Sequence, residues 1–413
     1  MLSKPTANRW SESNSASLHQ TQGASLLFKA WVPWTTGRSA RLVGSDSLEP
    51  MEGSTTSTPV RDRYDGIQGL RFVAALLVVV LHSTFYTHER LDDSIPVWKV
   101  GGIGVDIFFI ISGFVMIIST TNLVGRTDGW KYFGMRRIVR IVPMYWLATT
   151  VKLLTLLVLP AAVLHAQLDP TKTILSYLFL PSRNVDGEVQ PLLGVGWTLT
   201  FEMAFYAIFT VALLLRLKPL WFCSVALSAL AVANIFRPEE WPPAAVYLNP
   251  IVLYFLAGMV IGQWTIDRRT GRLVAWLIYV AALWVIIPVA DGTFSTADGE
   301  RLTQRLTVVL LVLAVVVFDP FISGKLPRPL LYMGDASYSL YLFHPLVAPI
   351  VPTALAIVGI SNGWLSVVLS VIAAVAAAAI IYRFVERPVT GLLQRRLPYV
   401  RQHRNARIEK TVA

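Results

Sequence analysis

Runs of about twenty predominantly apolar residues recur ten times between residues 67 and 384, and each is long enough to cross the ~30 Å hydrocarbon core of a bilayer as a helix. A soluble chain of this size would carry more charge than 15% and would alternate apolar with polar faces. The expected fold is therefore all-α: a polytopic integral membrane bundle of ten transmembrane helices. By sequence the spans fall at about 67–87, 103–120, 141–163, 193–215, 219–236, 245–264, 273–290, 302–319, 330–355 and 364–384. No internal repeat is evident, which speaks against an inverted-repeat transporter.

The positions of Lys and Arg orient this array, because basic segments stay on the cytoplasmic side. With the N-terminus inside, the inner segments hold 28 basic residues and the outer loops 7, with Lys152 left inside a span. Both termini are thus expected in the cytoplasm, and the location expected is a bacterial cytoplasmic membrane. The same count explains the net charge of +11 without nucleic acid as a partner. The basic C-terminal segment, residues 391–413, is read as facing anionic lipid. Residues 1–63 are rich in Ser, Thr, Gly and Pro and read as a disordered polar tail, leaving residues 64–390 as the membrane domain. Removing residues 1–50, so that the chain starts at Met51, is expected to leave insertion and activity intact; loss of accumulation or of turnover on that truncation would give the tail a role. The one cysteine, Cys223, lies in an apolar run and reads as a small core residue.

Several polar groups sit where a membrane tolerates few. Arg71 and His82 lie eleven residues apart in the first span, about 20° apart around a helix and roughly 16 Å along it, so they share a face without touching. Asp106 opens the second span, Glu202 lies within the fourth and His344 within the ninth. In the orientation above, His82, Asp106 and Glu202 all fall between the outer surface and the midplane. A carboxylate at that depth needs a partner, for which His82, an Arg or a Lys is the candidate. A carboxylate–His pair serves as an oriented general base; the plain alternative is a polar network that holds helices together. Lys152 reads as a carboxylate's partner or as a side chain snorkelling to the surface. Arg136, Arg137 and Arg140 recur at helical spacing in the inner loop "RTDGWKYFGMRRIVRIVPMYW". They orient the chain, and they are also a candidate site for a phosphate-bearing ligand from the cytoplasm. There is no glycine-rich phosphate loop, no G-x-S-x-G elbow and no metal-spaced His/Cys set, so neither a metal nor a bound cofactor is expected.

Taken in order, "LRFVAALLVVVLH", "GVDIFFIISGFVM", "RRIVRIVPMYW", "WTLTFEMAFY", "SYSLYLFHP" and "VERPV" make the chain resemble the membrane acyltransferase-3 family, above all its exopolysaccharide O-acetyltransferase branch. The resemblance runs from about residue 65 to 390. It implies an O-acyltransferase that takes an acyl group, acetyl above others, from cytoplasmic acyl-CoA as co-substrate to a hydroxyl of a cell-surface or exported carbohydrate. It further implies that Arg71 and His82 are essential, that Glu202 and Asp106 match the family's acidic positions, and that Arg136, Arg137 and Arg140 match its basic loop. On that reading His82, Glu202 and Asp106 are the catalytic candidates. Arg71, Arg136, Arg137 and Arg140 bind the donor, and His344 is a further candidate. His82 acts either as general base in direct transfer or as transient acyl carrier. The alternative from another class is a transporter or flippase of a lipid-linked glycan or small polar solute.

Overall fold

The structure is a computed structural model and describes residues 64–160, 163, 166–238, 240–292 and 295–397. The expected disordered tail at 1–63 and most of the basic C-terminal segment lie outside the described residues. Fourteen α-helices follow one another among them, with no strand. They are α1 (Asp65–Arg90), α2 (Ile103–Thr120), α3 (Gly129–Val158), α4 (Pro170–Tyr177), α5 (Trp197–Leu214), α6 (Pro219–Ala233) and α7 (Leu253–Asp267), then α8 (Thr270–Ala290), α9 (Thr296–Ile322), α10 (Arg328–Asp335), α11 (Ser337–Val347), α12 (Ile350–Ile357), α13 (Gly363–Ile381) and α14 (Arg387–Arg396). Among the described residues ten helical stretches are long and apolar enough to cross a membrane, as the apolar runs require. The number is even, so the start of α1 and the end of α14 lie at the same end of the bundle. We call it the near end, and the end holding Arg90 the far end.

The outer surface confirms a lipid-facing protein. Val225, Ile278, Leu310 and Ile372, in the middle of four helices, are each more than half exposed, a density of exposed apolar side chains that a water-soluble monomer does not carry. The interior instead holds hydroxyls: Ser83, Thr87, Thr149, Ser337, Ser339, Ser366 and Ser370 are fully buried. Such groups tie membrane helices together, where burial of apolar surface gives no net drive to association. Thr87 of α1 and Ser366 of α13, for example, share a hydrogen bond of 2.9 Å.

Helix α1 is the hub and packs against α2, α9, α10, α11 and α13. Its near end is closed by an exchange of carboxylates with the end of α9. Asp319 Oδ1 accepts from the Gly66 N–H at 2.8 Å, and Asp65 Oδ2 accepts from the Gly324 N–H at 3.0 Å. Asp319 therefore satisfies an N–H that the first turn of a helix leaves orphaned. The closest backbone approach is between α2 and α7, where Gly113 faces Phe255 and Gly258 faces Ile110 across the seam.

Three boundaries differ from the sequence reading, each for a physical reason. The third span was expected at 141–163, but α3 begins at Gly129 and ends at Val158. The basic stretch is therefore helix from Gly129 onward, and only about 121–128 is loop. Hydropathy sees where charge begins, whereas a helix carries Lys131, Arg136, Arg137 and Arg140 as readily as apolar residues, and no proline falls within 129–142. The ninth span is broken into α10, α11 and α12. Pro349 and Pro352 cannot donate to the preceding turn, which separates α11 from α12. The tenth continues past 384 through a π-helical turn, Tyr382–Glu386, into α14. That extra residue per turn rotates Glu386 inward, to 8% exposure.

Candidate active site

Two polar centres sit on α1, one per end. Near the first end a cavity of about 110 Å³ is enclosed by α1, α2, α3, α5 and α11. Its charged lining is Arg71, Arg137, Arg140 and Glu202. Its walls are mainly aromatic and aliphatic, including Phe108, Tyr206, Tyr338 and Tyr341. The early start of α3 is what carries Arg137 and Arg140 into this cavity. Arg137 is fixed there by its η2 nitrogen donating to Ser119 Oγ at 3.0 Å, and by the rings of Phe133 and Tyr206 at 5.4 and 5.6 Å. Its Nε is buried without a hydrogen-bond partner, so part of its donor capacity is unspent. Arg71 donates to Gln68 Oε1 at 3.3 Å.

Glu202 comes from the first half of α5, and two donors converge on one of its oxygens. Ser112 Oγ donates to Oε1 at 3.2 Å, and the Tyr206 hydroxyl donates to the same atom. Arg71 and Arg137 both feel its charge. Oε2 accepts no hydrogen bond among the described residues, which leaves an acceptor within a cationic cavity.

Eleven residues along α1, the His82 ring meets His344 of α11, with ring centroids 4.9 Å apart. The hydrogen bonds fix the neutral tautomers by elimination. His344 Nδ1 lies 3.1 Å from the Leu340 carbonyl, which can only accept, so Nδ1 carries the hydrogen and Nε2 is a lone pair. That Nε2 lies 3.2 Å from His82 Nδ1. His82 Nδ1 also lies 2.9 Å from the Val78 carbonyl, so it too is the N–H and is shared between the two acceptors. His82 Nε2 is then left as an unprotonated lone pair. His344 is 1% exposed while His82 is partly accessible. Tyr341 links the centres: it lines the cavity, and its ring is 6.0 Å from that of His344.

Several pairings differ from the sequence reading. Of the partners offered for a deep carboxylate, Glu202 has the arginines and not His82. His344 holds the His82 ring instead. Asp106 sits in a separate network across α2, α7 and α9, where Tyr254 donates at 3.0 Å and Gln304 at 3.5 Å. Arg136 does not line the cavity; it donates to the Tyr132 hydroxyl at 3.2 Å and lies over that ring. Lys152 makes no ion pair among the described residues. Glu386, quoted in sequence only as part of "VERPV" and given no role, accepts from Ser339 Oγ at 2.6 Å and lies in the field of Arg71 and Arg140. In sequence it is a carboxylate beside Arg387 at the end of the last span, indistinguishable from a boundary residue. Among the described residues no three His, Cys, Asp or Glu side chains gather as a metal site.

A family model described as an acyltransferase domain matches residues 64–383, which takes in both centres. The chain belongs to the acyltransferase-3 family. It is 34% identical over 307 residues to the exopolysaccharide production protein ExoZ of Rhizobium meliloti (strain 1021), covering 71% of this chain and 90% of that protein. It is 27% identical over 365 residues to nodulation protein 10 of Rhizobium leguminosarum bv. viciae, covering 79% and 95%. It is 24% identical over 365 residues to the O-acetyltransferase OatA of Staphylococcus aureus (strain COL), covering 78% of this chain and 57% of that protein. No solved structure matches it at a comparable level of significance. As a member of the acyltransferase-3 family the protein is a multi-pass membrane acyltransferase, and the transporter alternative is set aside.

Proposed function

We propose that this acyltransferase moves an acetyl group from acyl-CoA, entering at the near end, to a hydroxyl of an exported or cell-surface carbohydrate, with His82 as general base. The supporting observation is the histidine pair. The Val78 carbonyl directly, and the Leu340 carbonyl through His344, pin the His82 N–H and leave Nε2 as the one lone pair available to an incoming hydroxyl. In direct transfer the acceptor oxygen attacks the thioester carbonyl while Nε2 takes its proton. The C–O bond forms, the C–S bond breaks, and the proton passes to the departing thiolate. Near-end entry corresponds to the cytoplasmic side by the distribution of basic residues.

The donor side follows from size and charge. At about 110 Å³ the cavity is below the ~300–1,000 Å³ of ordinary small-molecule pockets. It suits the thin arm of the donor, with the phosphates held by Arg71, Arg137 and Arg140 and the acyl end reaching on toward His82. The names of the similar proteins, an exopolysaccharide production protein and an O-acetyltransferase, support a carbohydrate acceptor and an acetyl group.

This division separates the two ends of α1. Arg71→Ala is expected to raise KM for acetyl-CoA by about tenfold or more, the loss of a charge-assisted contact, with a smaller change in kcat. Glu202→Gln keeps size and the Ser112 contact but removes the one negative charge lining a cavity of three arginines. It is expected to lower kcat/KM by about 10–100-fold, since removing one partner of a buried charge set leaves the others uncompensated. Both are measured with radiolabelled acetyl-CoA and purified protein in liposomes, at matched protein levels. Near-normal turnover of the Gln variant takes Glu202 out of the site. The reading itself rests on glycan mass spectrometry: cells lacking the gene should lose one acetyl mass unit from a surface glycan, and unchanged glycans would overturn it.

A further inference from the structure

Two rings stand between the arginine cavity and the histidines: Phe108 of α2 and Tyr341 of α11. Both line the cavity. They meet edge to face, with centroids 5.7 Å apart at 70°. The Tyr341 ring is in turn 6.0 Å from that of His344, whose Nε2 lies 3.2 Å from His82 Nδ1. Tyr341 precedes His344 by three residues, so the two share a face of α11 one turn apart. Phe108 packs against the apolar cluster to which Ala75 and Val79 of α1 belong. On α1 those residues fall between Arg71 and His82, on the stripe 71, 75, 79, 82. The pair thus borders the chemical end of the donor cavity, and neither ring has a part in the proton transfer described above.

Both rings are held in place. The Tyr341 hydroxyl donates to the Val195 carbonyl at 3.1 Å and shares a hydrogen bond of 2.9 Å with Thr198 Oγ1. Phe108 lies one turn from Gly104, where α2 is seated on α1 by backbone contact: a Cβ there would stand 2.2 Å from the Ala74 carbonyl oxygen. When the thioester carbonyl faces His82, the tail of the acyl group has to lie against these fixed walls, in a cavity of about 110 Å³ that the donor arm already occupies. We infer that Phe108 and Tyr341 gauge the acyl group, admitting acetyl and turning away longer chains. This rests on the acyl-transfer reading given above. A tail with added methylenes presses on rings that do not yield, and the carbonyl is turned away from His82. The arginines still hold the phosphates, so a longer donor binds without reacting, and the discrimination falls on kcat. Tyr341 also carries hydrogen bonds between helices, whereas Phe108 contributes a ring alone, so Phe108 is the residue to vary.

The experiment uses purified protein in liposomes, surface glycan from cells lacking the gene, and acetyl-, propionyl- and butyryl-CoA labelled in the acyl group. In the wild type each added methylene is expected to lower transfer by about tenfold or more, while butyryl-CoA still competes with acetyl-CoA for binding. Phe108→Ala is expected to narrow the acetyl-to-butyryl ratio by at least about tenfold, and Phe108→Leu to narrow it less. The readout is a ratio within one preparation, so a reduced yield of a variant leaves it intact. Met116 lines the same cavity about two turns of α2 away, roughly 12 Å, and Met116→Ala is expected to keep the wild-type ratio. Equal wild-type transfer of acetyl and butyryl, an unchanged ratio in the Phe108 variants, or equal narrowing in Met116→Ala overturns the inference and leaves the acyl-transfer reading standing. No transfer from any of the three donors overturns that reading and the inference with it.

Discussion

Replacing His82 by alanine is expected to lower acyl transfer by about 10²–10⁴-fold, the usual contribution of a positioned general base, with acetyl-CoA binding retained and normal amounts of protein in the membrane. The reason is local. His82 makes its polar contacts through Nδ1 alone, to Val78 and His344, so alanine removes the base without orphaning a charge. What it leaves unmatched is one lone pair on His344, a neutral group that the helix tolerates. His344→Ala is expected to be milder, up to about 10²-fold, because it removes the ring that orients the base and not the base itself. The comparison is made by single-turnover labelling of glycan and by equilibrium binding of acetyl-CoA to the same preparations. Retained activity in His82→Ala sinks the assignment. Equal loss of acetyl-CoA binding in His82→Ala and Arg71→Ala contradicts the division of α1 into a donor end and a chemical end.

The second large effect is on folding. Gly258→Leu is expected to prevent stable accumulation of the protein. A Cβ at Gly258 would stand 1.9 Å from the Ile110 carbonyl oxygen, 2.7 Å from its carbon and 2.9 Å from the Phe114 nitrogen. All three are backbone atoms of a helix, with no side chain to swing aside. The same seam is tight from the other side, where a Cβ at Gly113 would stand 2.0 Å from the Phe255 oxygen. Small residues four apart, here Gly258 and Gly262, let membrane helices approach to backbone contact, and that contact is their main source of association energy. Forcing α2 off α7 costs more than the ~1–3 kcal/mol of ordinary overpacking. It also moves Ser112, which sits beside Gly113 and donates to Glu202, so any protein that does insert is expected to be poorly active. The check is the amount of monodisperse protein extracted from membranes, against Gly271→Leu, whose Cβ meets nothing within 4 Å. Normal yields of the Gly258 variant would show that the α2–α7 seam is more compliant than its backbone contacts imply.

How far the sequence reached can be seen residue by residue. It determined the fold class, because apolar run length is a one-dimensional property and a bilayer filters on it directly; the second span was read at 103–120, the bounds of α2. It determined that Arg71 and His82 share a face of one helix, because helical periodicity is local. The ordered motifs also pointed to the acyltransferase-3 family. Partners were another matter, since each contact in the site joins residues far apart in the chain. His82 meets His344 across 262 positions, and Ser112 meets Glu202 across 90. Hydropathy fixes how deep a group lies but not its azimuth, so Asp106, Glu202 and His82, all placed in one half of the membrane, were open to pairing with one another. Helix packing decided otherwise. It turned Asp106 toward Tyr254, Glu202 toward the arginines and His82 toward His344. It also brought in Glu386, which only a π turn rotates inward, and Arg137, which reaches the cavity because α3 starts twelve residues before its apolar run. The chain sequence sets which groups enter the membrane. Only the rotation and closeness of the helices, set at seams such as that of α2 against α7, decides which of them meet.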